Sequence, residues 1–186
     1  MTEQRLKSRG VQEQALYLLV RPCDKCQAGP LEEISRGQVE GTDGRADEVE
    51  VRCSSCDQTA TLHFLRQKRA PAAAASTLID VNEWLGLCHH FLDLGQTESD
   101  EEQAQQQIKL ARYCLGEALK FYPEDSDLPD ASAFFGRLGD KRFKEQPAAF
   151  LKTKLLELRR QLPALAVEQP KPGTTEARKK RKWWRV

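Results

Sequence analysis

The order of apolar and polar residues predicts strands in the first third of the chain and helices in the remainder. Residues 48–52, Glu-Val-Glu-Val-Arg, alternate between polar and apolar, which is the two-residue period of a strand. Residues 59–65 combine β-branched and apolar positions, and the apolar run within 15–21 leads into a cysteine pair. We therefore predict three short strands in these segments.

The segments around these strands carry the signals of irregular structure. Residues 1–14 are polar and are expected to fray. Residues 27–48 contain several glycines and the turn signal Asp43-Gly44, so they predict a loop. Residues 66–75 include a proline and four consecutive alanines, and they predict a linker.

Beyond the linker, apolar residues recur every three or four positions, which is the period of an amphipathic helix. The first helical face comprises Leu78, Val81, Leu85, Cys88 and Leu92. The second comprises Ile108, Ala111, Leu115, Leu119 and Tyr122. A third comprises Phe150, Leu151, Leu155, Leu158 and Leu162.

Capping residues predict where the first two helices begin and end. Thr77 with Asp80 can cap the first helix, and Gly95 fits its end. Ser99 with Glu102 has the spacing of a capping box at the start of the second helix.

The remaining signals complete an α+β architecture, in which a small antiparallel sheet at the N-terminus precedes a helical bundle. A short helix is expected over 131–138, and Pro147 fits the first position of the last helix. We predict that the sheet unit covers residues 1–68 and the helical bundle 76–162, and that a linker with a disordered basic tail covers 163–186.

Composition restricts where the protein acts. No apolar run approaches the ~20 residues that a membrane-spanning helix needs. The six-residue run before Arg21 is shorter than the ~7–15 residues of a signal sequence, so we expect a cytoplasmic protein. The net charge of +1 hides an asymmetry, because residues 171–186 hold seven Lys or Arg and one Glu, a net of +6. The preceding residues therefore carry −5, and such asymmetry favours a polyanionic partner.

Four of the six cysteines form two Cys-x-x-Cys pairs, Cys23 with Cys26 and Cys53 with Cys56. A two-residue separation lets both sulfurs of a tight turn face one ion, and two such turns supply the four thiolates of a tetrahedral Zn²⁺ site. Without a signal sequence, this spacing favours a metal site over disulfides. Zn²⁺ is the predicted cofactor; a redox dithiol, an iron–sulfur centre and disulfides are the alternatives.

The motifs Cys-Asp-Lys-Cys and Cys-Ser-Ser-Cys, with strands leading into and out of them, resemble the zinc-ribbon fold group over residues 13–66. The 26 residues between the pairs exceed the ~15–20 of the usual pattern, and we expect the surplus in the glycine-rich loop 29–46. The resemblance implies that the unit 1–68 is a zinc ribbon with a closed, structural metal site and a role in binding, docking or bracing. It predicts that Cys53→Ser unfolds residues 13–66 and spares most of the helical content.

Other groups of chemical interest have simpler interpretations. Cys88, His89 and His90 are adjacent, and Cys114 lies on the next helix, but neighbouring helical residues point about 100° apart. We interpret both cysteines as core residues and both histidines as surface residues; a second metal site and a catalytic Cys–His pair are the alternatives. The acidic run 99–102 fits a helix start, where carboxylates meet unpaired N–H groups.

The chain ends in a basic segment that contains two tryptophans. Its candidate nucleic-acid-binding residues are Arg178, Lys179, Lys180, Arg181, Lys182, Trp183, Trp184 and Arg185. Cations contact phosphates, and tryptophan can stack on unpaired bases, so the tail predicts RNA or single-stranded DNA as a partner. The same composition suits an anionic membrane surface, an acidic protein groove or solubility alone.

Together, these patterns predict a non-enzymatic zinc-ribbon binding or adaptor protein that associates with nucleic acid through its tail. The first alternative is a protein–protein interaction module in which the ribbon or the helical bundle docks a partner. The second is an enzyme that uses the region Cys88–His90.

Overall fold

A computed structural model of the chain describes residues 5–41, 44–67, 71 and 73–162. The strands are β1 (Arg5–Ser8), β2 (Leu31–Gly41), β3 (Gly44–Cys53) and β4 (Thr59–Arg66). The helices are α1 (Val11–Val20), α2 (Val81–Thr97), α3 (Glu101–Leu119), α4 (Gly139–Glu145) and α5 (Lys152–Gln161). Two 3-10 turns cover Ala131–Ala133 and Pro147–Phe150. A sheet in the first third and helices in the remainder confirm the α+β class.

The four strands form one sheet in the order β1-β4-β3-β2. β3 pairs antiparallel with both β2 and β4, whereas β1 lies parallel to β4. The central strand β3 buries Val49 and Val51 on the face that meets the helices. The alternation in residues 48–52 is therefore confirmed as a half-buried strand, and the strand predicted over 59–65 is confirmed as β4.

The apolar run 15–21 belongs to a helix, so the strand prediction for it is wrong. α1 begins at Val11 and buries Leu16, Tyr17 and Leu18 together with polar residues of its first half. A six-residue apolar run cannot distinguish a strand from a buried helix. The helix also contains Glu13 and Gln14, which can be buried because they have hydrogen-bond partners. The sequence pattern does not reveal these partners. Residues 5–8, expected to fray, form β1.

The predicted loop 27–48 is wrong over most of its length, because β2 occupies it. β2 pairs with β3 from Leu31 to Gly41, with an irregularity between Glu33 and Ser35. Leu31 is buried, whereas residues 32–40 are all at least partly exposed, so the strand lacks the alternation of a half-buried strand. Gly44 has a φ of 105°, as the turn signal predicts, and Asp43 lies outside the described residues.

α2 and α3 begin close to their predicted starts. Asp80, rather than the predicted Thr77, caps α2, and it forms a capping box with Glu83. α2 continues past Gly95 and ends at Thr97. Asp100, rather than the neighbouring serine, caps α3 by accepting a hydrogen bond from the Gln103 N–H at 2.9 Å.

The last third of the chain differs more from the prediction. The helix expected over 131–138 is limited to the 3-10 turn Ala131–Ala133, and the short helix α4 follows it. Pro147 begins a 3-10 turn, Leu151 is extended, and α5 starts at Lys152. The Tyr122 hydroxyl donates a hydrogen bond to the Phe150 carbonyl at 2.8 Å just before this break.

The buried apolar side chains of sheet and helices belong to one continuous hydrophobic cluster. It includes Leu16 of α1, Val49 and Phe64 of the sheet, Trp84 of α2 and Leu115 of α3. The division into units 1–68 and 76–162 stays a prediction, and part of the linker between them lies outside the described residues. None of the helices in the described part of the chain is long and apolar enough to cross a membrane.

A cluster of ion-paired side chains also connects the N-terminal segment to α3. Arg9 donates a hydrogen bond from Nη1 to Glu117 Oε2 at 2.6 Å and from Nε to Glu13 Oε1 at 2.9 Å. Both carboxylates are buried. Because each buried charge is paired, the cluster can remain in the interior and hold α1 next to α3.

A second buried polar network joins α1 to all four strands. Asp47 on β3 is at its centre, and Gln14 on α1 donates from Nε2 to Asp47 Oδ2 and to Ser8 Oγ, both at 2.8 Å. Arg66 of β4 also contacts Asp47, and Arg36 of β2 contacts Gln14. Each of the five elements thus contributes at least one side chain, which fixes their relative positions.

Candidate metal centre

The two cysteine pairs lie on two copies of the same backbone turn. The N–H of the first cysteine donates to the carbonyl five residues later, from Cys23 to Ala28 at 2.6 Å and from Cys53 to Gln58 at 2.9 Å. In return, each cysteine carbonyl accepts from the N–H four residues later, at 2.8 Å and 3.0 Å.

Both turns bend at the same position. The residue after the second cysteine has a positive φ in each, 59° at Gln27 and 55° at Asp57. The first turn connects α1 to β2, and the second connects β3 to β4. The pairing of Leu31 with Cys53 brings the two turns to the same end of the sheet.

The four sulfurs converge on one point. Cys23 Sγ lies 3.7 Å from Cys56 Sγ, and Cys26 Sγ lies 3.6 Å from Cys53 Sγ, so each close pair takes one sulfur from each turn. All four lie within 4.8 Å of one another. A disulfide has an S–S length of ~2.05 Å, so these cysteines are free thiols that together can hold a metal ion.

The second turn is fastened to the segment that follows the first. Ser54 donates from both N and Oγ to the Pro30 carbonyl, each at 3.1 Å. Ser55 donates from Oγ to the Gly29 carbonyl at 3.2 Å, and from its N–H to the Cys53 sulfur at 3.4 Å. These bonds connect the second turn to the backbone next to the first.

Burial divides the four cysteines into two pairs. Cys23 and Cys53, the first of each motif, are 4% and 0% exposed and belong to the hydrophobic core. Cys26 is exposed and Cys56 is partly exposed. One side of the cluster therefore faces the core, and the other gives an ion access from solvent.

The cysteines also differ in the pKa of their thiol groups. The backbone N–H groups of Cys26 and Lys25 lower the pKa of Cys23 to about 7. For Cys56, the Gln58 N–H acts to lower the pKa, but the Cys26 thiol, burial and the other cysteines outweigh it and raise the pKa to about 12. One sulfur of the cluster ionises readily near neutral pH, whereas four thiolates this close together need a cation between them.

The first turn also contacts the helical part of the chain. Gln27 Oε1 accepts a hydrogen bond from Arg137 Nη1 at 2.7 Å, in the segment between the 3-10 turn and α4. On the other side, Arg21 donates to the Tyr17 hydroxyl at 2.6 Å and forms an ion pair with Asp24 at 3.2 Å. None of these contacts, nor the two serine contacts, is visible in a sequence pattern.

The second group of possible ligands does not form a site. Cys88 and Cys114 are fully buried, as predicted for core residues, and His89 and His90 are exposed. Burial raises the pKa of Cys88 to about 11, and burial also raises that of Cys114, so neither is a ready thiolate. Within the described residues, Cys23, Cys26, Cys53 and Cys56 are the one group of three or more His, Cys, Asp or Glu side chains that can hold a metal ion.

The tail cannot be placed relative to this centre. The candidate nucleic-acid-binding residues from Arg178 to Arg185 lie outside the described part of the chain. Their role stays a prediction from composition.

Comparisons of this chain with protein-family models, with curated proteins and with solved structures give no match. No relative's activity can therefore be transferred to it, and function has to be inferred from the chemistry of the cysteine cluster and of the charged surfaces.

Proposed function

We propose that this chain is a zinc-binding adaptor protein of the zinc-ribbon type, and that its basic tail attaches it to nucleic acid. The spacing of the sulfurs carries the first part of the proposal. A Zn–S bond of ~2.3 Å implies tetrahedron edges of about 3.8 Å. The two short Sγ–Sγ distances of 3.6 and 3.7 Å lie close to this value.

The donor set favours a structural role for the ion. Four soft thiolates in a tetrahedron select zinc or iron among the common metals. When all four cysteines bind, they fill the coordination sphere and leave no position for a water nucleophile. The ion would hold the two turns together, and the chain would act by binding rather than by catalysis.

Metal analysis of the protein purified under reducing conditions tests this part. We expect one zinc per chain, with Cys53→Ser losing it and Cys88→Ala keeping it, since Cys88 is buried outside the cluster. Iron in place of zinc, with the absorption of a thiolate-bound iron, would reassign the metal. Full zinc content in Cys53→Ser would remove the cysteine cluster as its site.

Charge asymmetry supports the second part. The last 16 residues carry a net charge of +6, whereas the preceding residues carry −5. Six of these cations and both indoles fall within 178–185, where phosphate contacts and base stacking can act on the same strand.

Affinity for a single-stranded oligonucleotide as a function of salt tests the tail. The full chain is compared with a chain that ends at Pro170. If the six cations contact phosphates, the log–log slope should be steeper by up to about 4 in the full chain, at ~0.7 per contact. Trp183→Ala with Trp184→Ala should weaken binding but leave that slope. No binding by either chain at low salt would contradict the nucleic-acid role.

A protein-docking role is the second candidate, because two apolar side chains are exposed in the segment that contacts the first cysteine turn. Phe135 is 49% exposed and Leu138 is 62% exposed, on either side of Arg137, which contacts Gln27. Partner binding that survives nuclease treatment, is lost in Leu138→Ser and persists in Leu94→Ser would favour this role over the first.

A further inference from the structure

A basic pocket lies between α3 and the end of α5, far in sequence from the cysteines. Its volume is about 360 Å³, and it is lined by Arg112, Leu156, Arg159, Arg160 and Leu162. Three of the five lining residues are arginines, and the described lining contains no carboxylate. The pocket therefore combines positive charge with apolar surface.

The arginines differ in how firmly they are held. Arg112 donates from Nη1 to the Leu162 carbonyl at 2.9 Å, which orients its guanidinium at the pocket. Arg160 pairs with Glu157 at 3.4 Å, but the two side chains are 78% and 58% exposed, so solvent screens the pair. Within the described residues, Arg159 has no hydrogen-bond or ion-pair partner and can contact a ligand at no cost in lost interactions.

Guanidinium groups suit a phosphate because their N–H donors form a planar fork that matches two phosphate oxygens. Leu156 and Leu162 add apolar surface, which an inorganic anion cannot use but a sugar or a base can cover. A phosphate that carries an organic group fits this combination better than a simple anion does.

The position of the pocket next to the tail indicates which phosphate-containing molecule it binds. Leu162 in its lining directly precedes residues 163–186, and Arg178 follows 16 positions later. A chain of that length spans at most about 56 Å, at ~3.5 Å per residue. We propose that the pocket binds a phosphate of the same nucleic-acid strand that the tail contacts, and this inference rests on the proposed nucleic-acid role. Two linked sites on one strand raise affinity because the second contact is intramolecular.

The test compares two double variants of the full chain, each with two fewer cations. Arg159→Gln with Arg160→Gln changes the pocket, and Lys141→Gln with Lys154→Gln changes exposed cations that do not line it. The probe is a fluorescently labelled oligodeoxythymidine of 12 nucleotides. We expect the pocket variant to lose about 5- to 20-fold in affinity and about 1.4 in salt slope, at ~0.7 per lost contact. The control variant should lose less than about twofold.

The outcomes separate the two proposals. If the pocket variant and the control lose the same affinity, or if the pocket variant binds like the unmodified chain while the chain ending at Pro170 does not bind, the pocket inference fails and the tail proposal stands. If the unmodified chain does not bind the oligonucleotide, both fail. Arginine-dependent binding to phosphatidylserine vesicles, without oligonucleotide binding, would assign the pocket to a membrane surface and overturn the inference.

Discussion

The carboxylate of Asp47 accepts two hydrogen bonds from the guanidinium of Arg66, one from Nε at 2.6 Å and one from Nη2 at 2.9 Å. Asp47 is 2% exposed, whereas the Arg66 side chain is 45% exposed. Burial acts to raise the pKa of Asp47, but the hydrogen bonds from Arg66 and Gln14 outweigh it and hold that pKa below its usual value. The buried carboxylate is therefore charged, and Arg66 is its main partner.

Arg66→Ala should lower the free energy of unfolding by about 1–3 kcal/mol, because it leaves a buried charge with fewer donors. Urea unfolding followed by circular dichroism measures this loss. Arg45→Ala is the matched control, since Arg45 lies 3.9 Å from Glu40 and both side chains are mostly exposed. Its loss should stay within about 0.5 kcal/mol. Equal losses in the two variants would show that the Arg66–Asp47 pair stabilises the fold no more than an exposed ion pair does.

Glu83 should make stability depend on pH between about 4.5 and 7. Burial raises the pKa of Glu83 from 4.5 to about 7; the Asp80 N–H opposes this rise and the Asp80 carboxylate adds to it. The folded state then binds more protons than the unfolded state in this window, so stability falls as the pH rises.

Glu83→Gln keeps an acceptor for the Asp80 N–H and removes the titration. The Tm of the variant minus the Tm of the unmodified chain should therefore be larger at pH 8 than at pH 5. Glu102→Gln, at an exposed position in the first turn of α3, is the control and should show the same Tm difference at both pH values. A Tm difference between Glu83→Gln and the unmodified chain that is the same at both pH values would contradict the prediction.

Gly139 should tolerate no side chain. A Cβ at Gly139 would lie 2.4 Å from Asp80 Oδ2, which accepts a hydrogen bond from the Gly136 N–H at 2.8 Å. Gly139→Ala should displace this carboxylate and destabilise the fold by more than about 1 kcal/mol. Gly86→Ala is the control, because a Cβ at Gly86, inside α2, has no atom within 4 Å and should stabilise by about 0.5–1 kcal/mol. Thermal unfolding of both variants decides the point.

Loss of the metal site should weaken the whole fold rather than residues 13–66 alone. Cys53 is fully buried in the same hydrophobic cluster as Trp84 and Leu115 of the helices. We therefore expect chelation of the metal, or Cys53→Ser, to lower the unfolding midpoint of the helical signal at 222 nm together with that of tryptophan fluorescence. Cys88→Ala, treated with the same chelator, is the control for metal-independent effects. A helical signal that is unchanged after complete metal loss would support two independent units.

The sequence was a good guide wherever one residue has a single local role. The two Cys-x-x-Cys pairs converge as their spacing predicts, because two sulfurs in one tight turn face the same side. Asp80 and Glu83 form a capping box within three residues of the predicted helix start. The alternation of residues 48–52 marks a strand because one of its faces is buried.

The pattern failed where distant contacts decide the structure. α1 buries Glu13 and Gln14, and their partners Arg9 and Asp47 make this burial possible. β2 is a strand because it pairs with β3, although its side chains are largely exposed and give no periodic signal. Likewise, no local rule brings Arg112 of α3 next to the end of α5.

The division of the four candidate metal ligands between two turns sets the order in which the cluster can form during synthesis. Cys23 and Cys26 leave the ribosome first and can offer an incoming ion only two sulfurs. The remaining two arrive with Cys53 and Cys56, and the pairing of Leu31 with Cys53 brings them into place. If the cluster binds zinc as proposed, complete capture of the ion would wait for β2 and β3 to pair. A nascent chain that stops before residue 56 would then hold the ion loosely enough for a competing thiol to remove it.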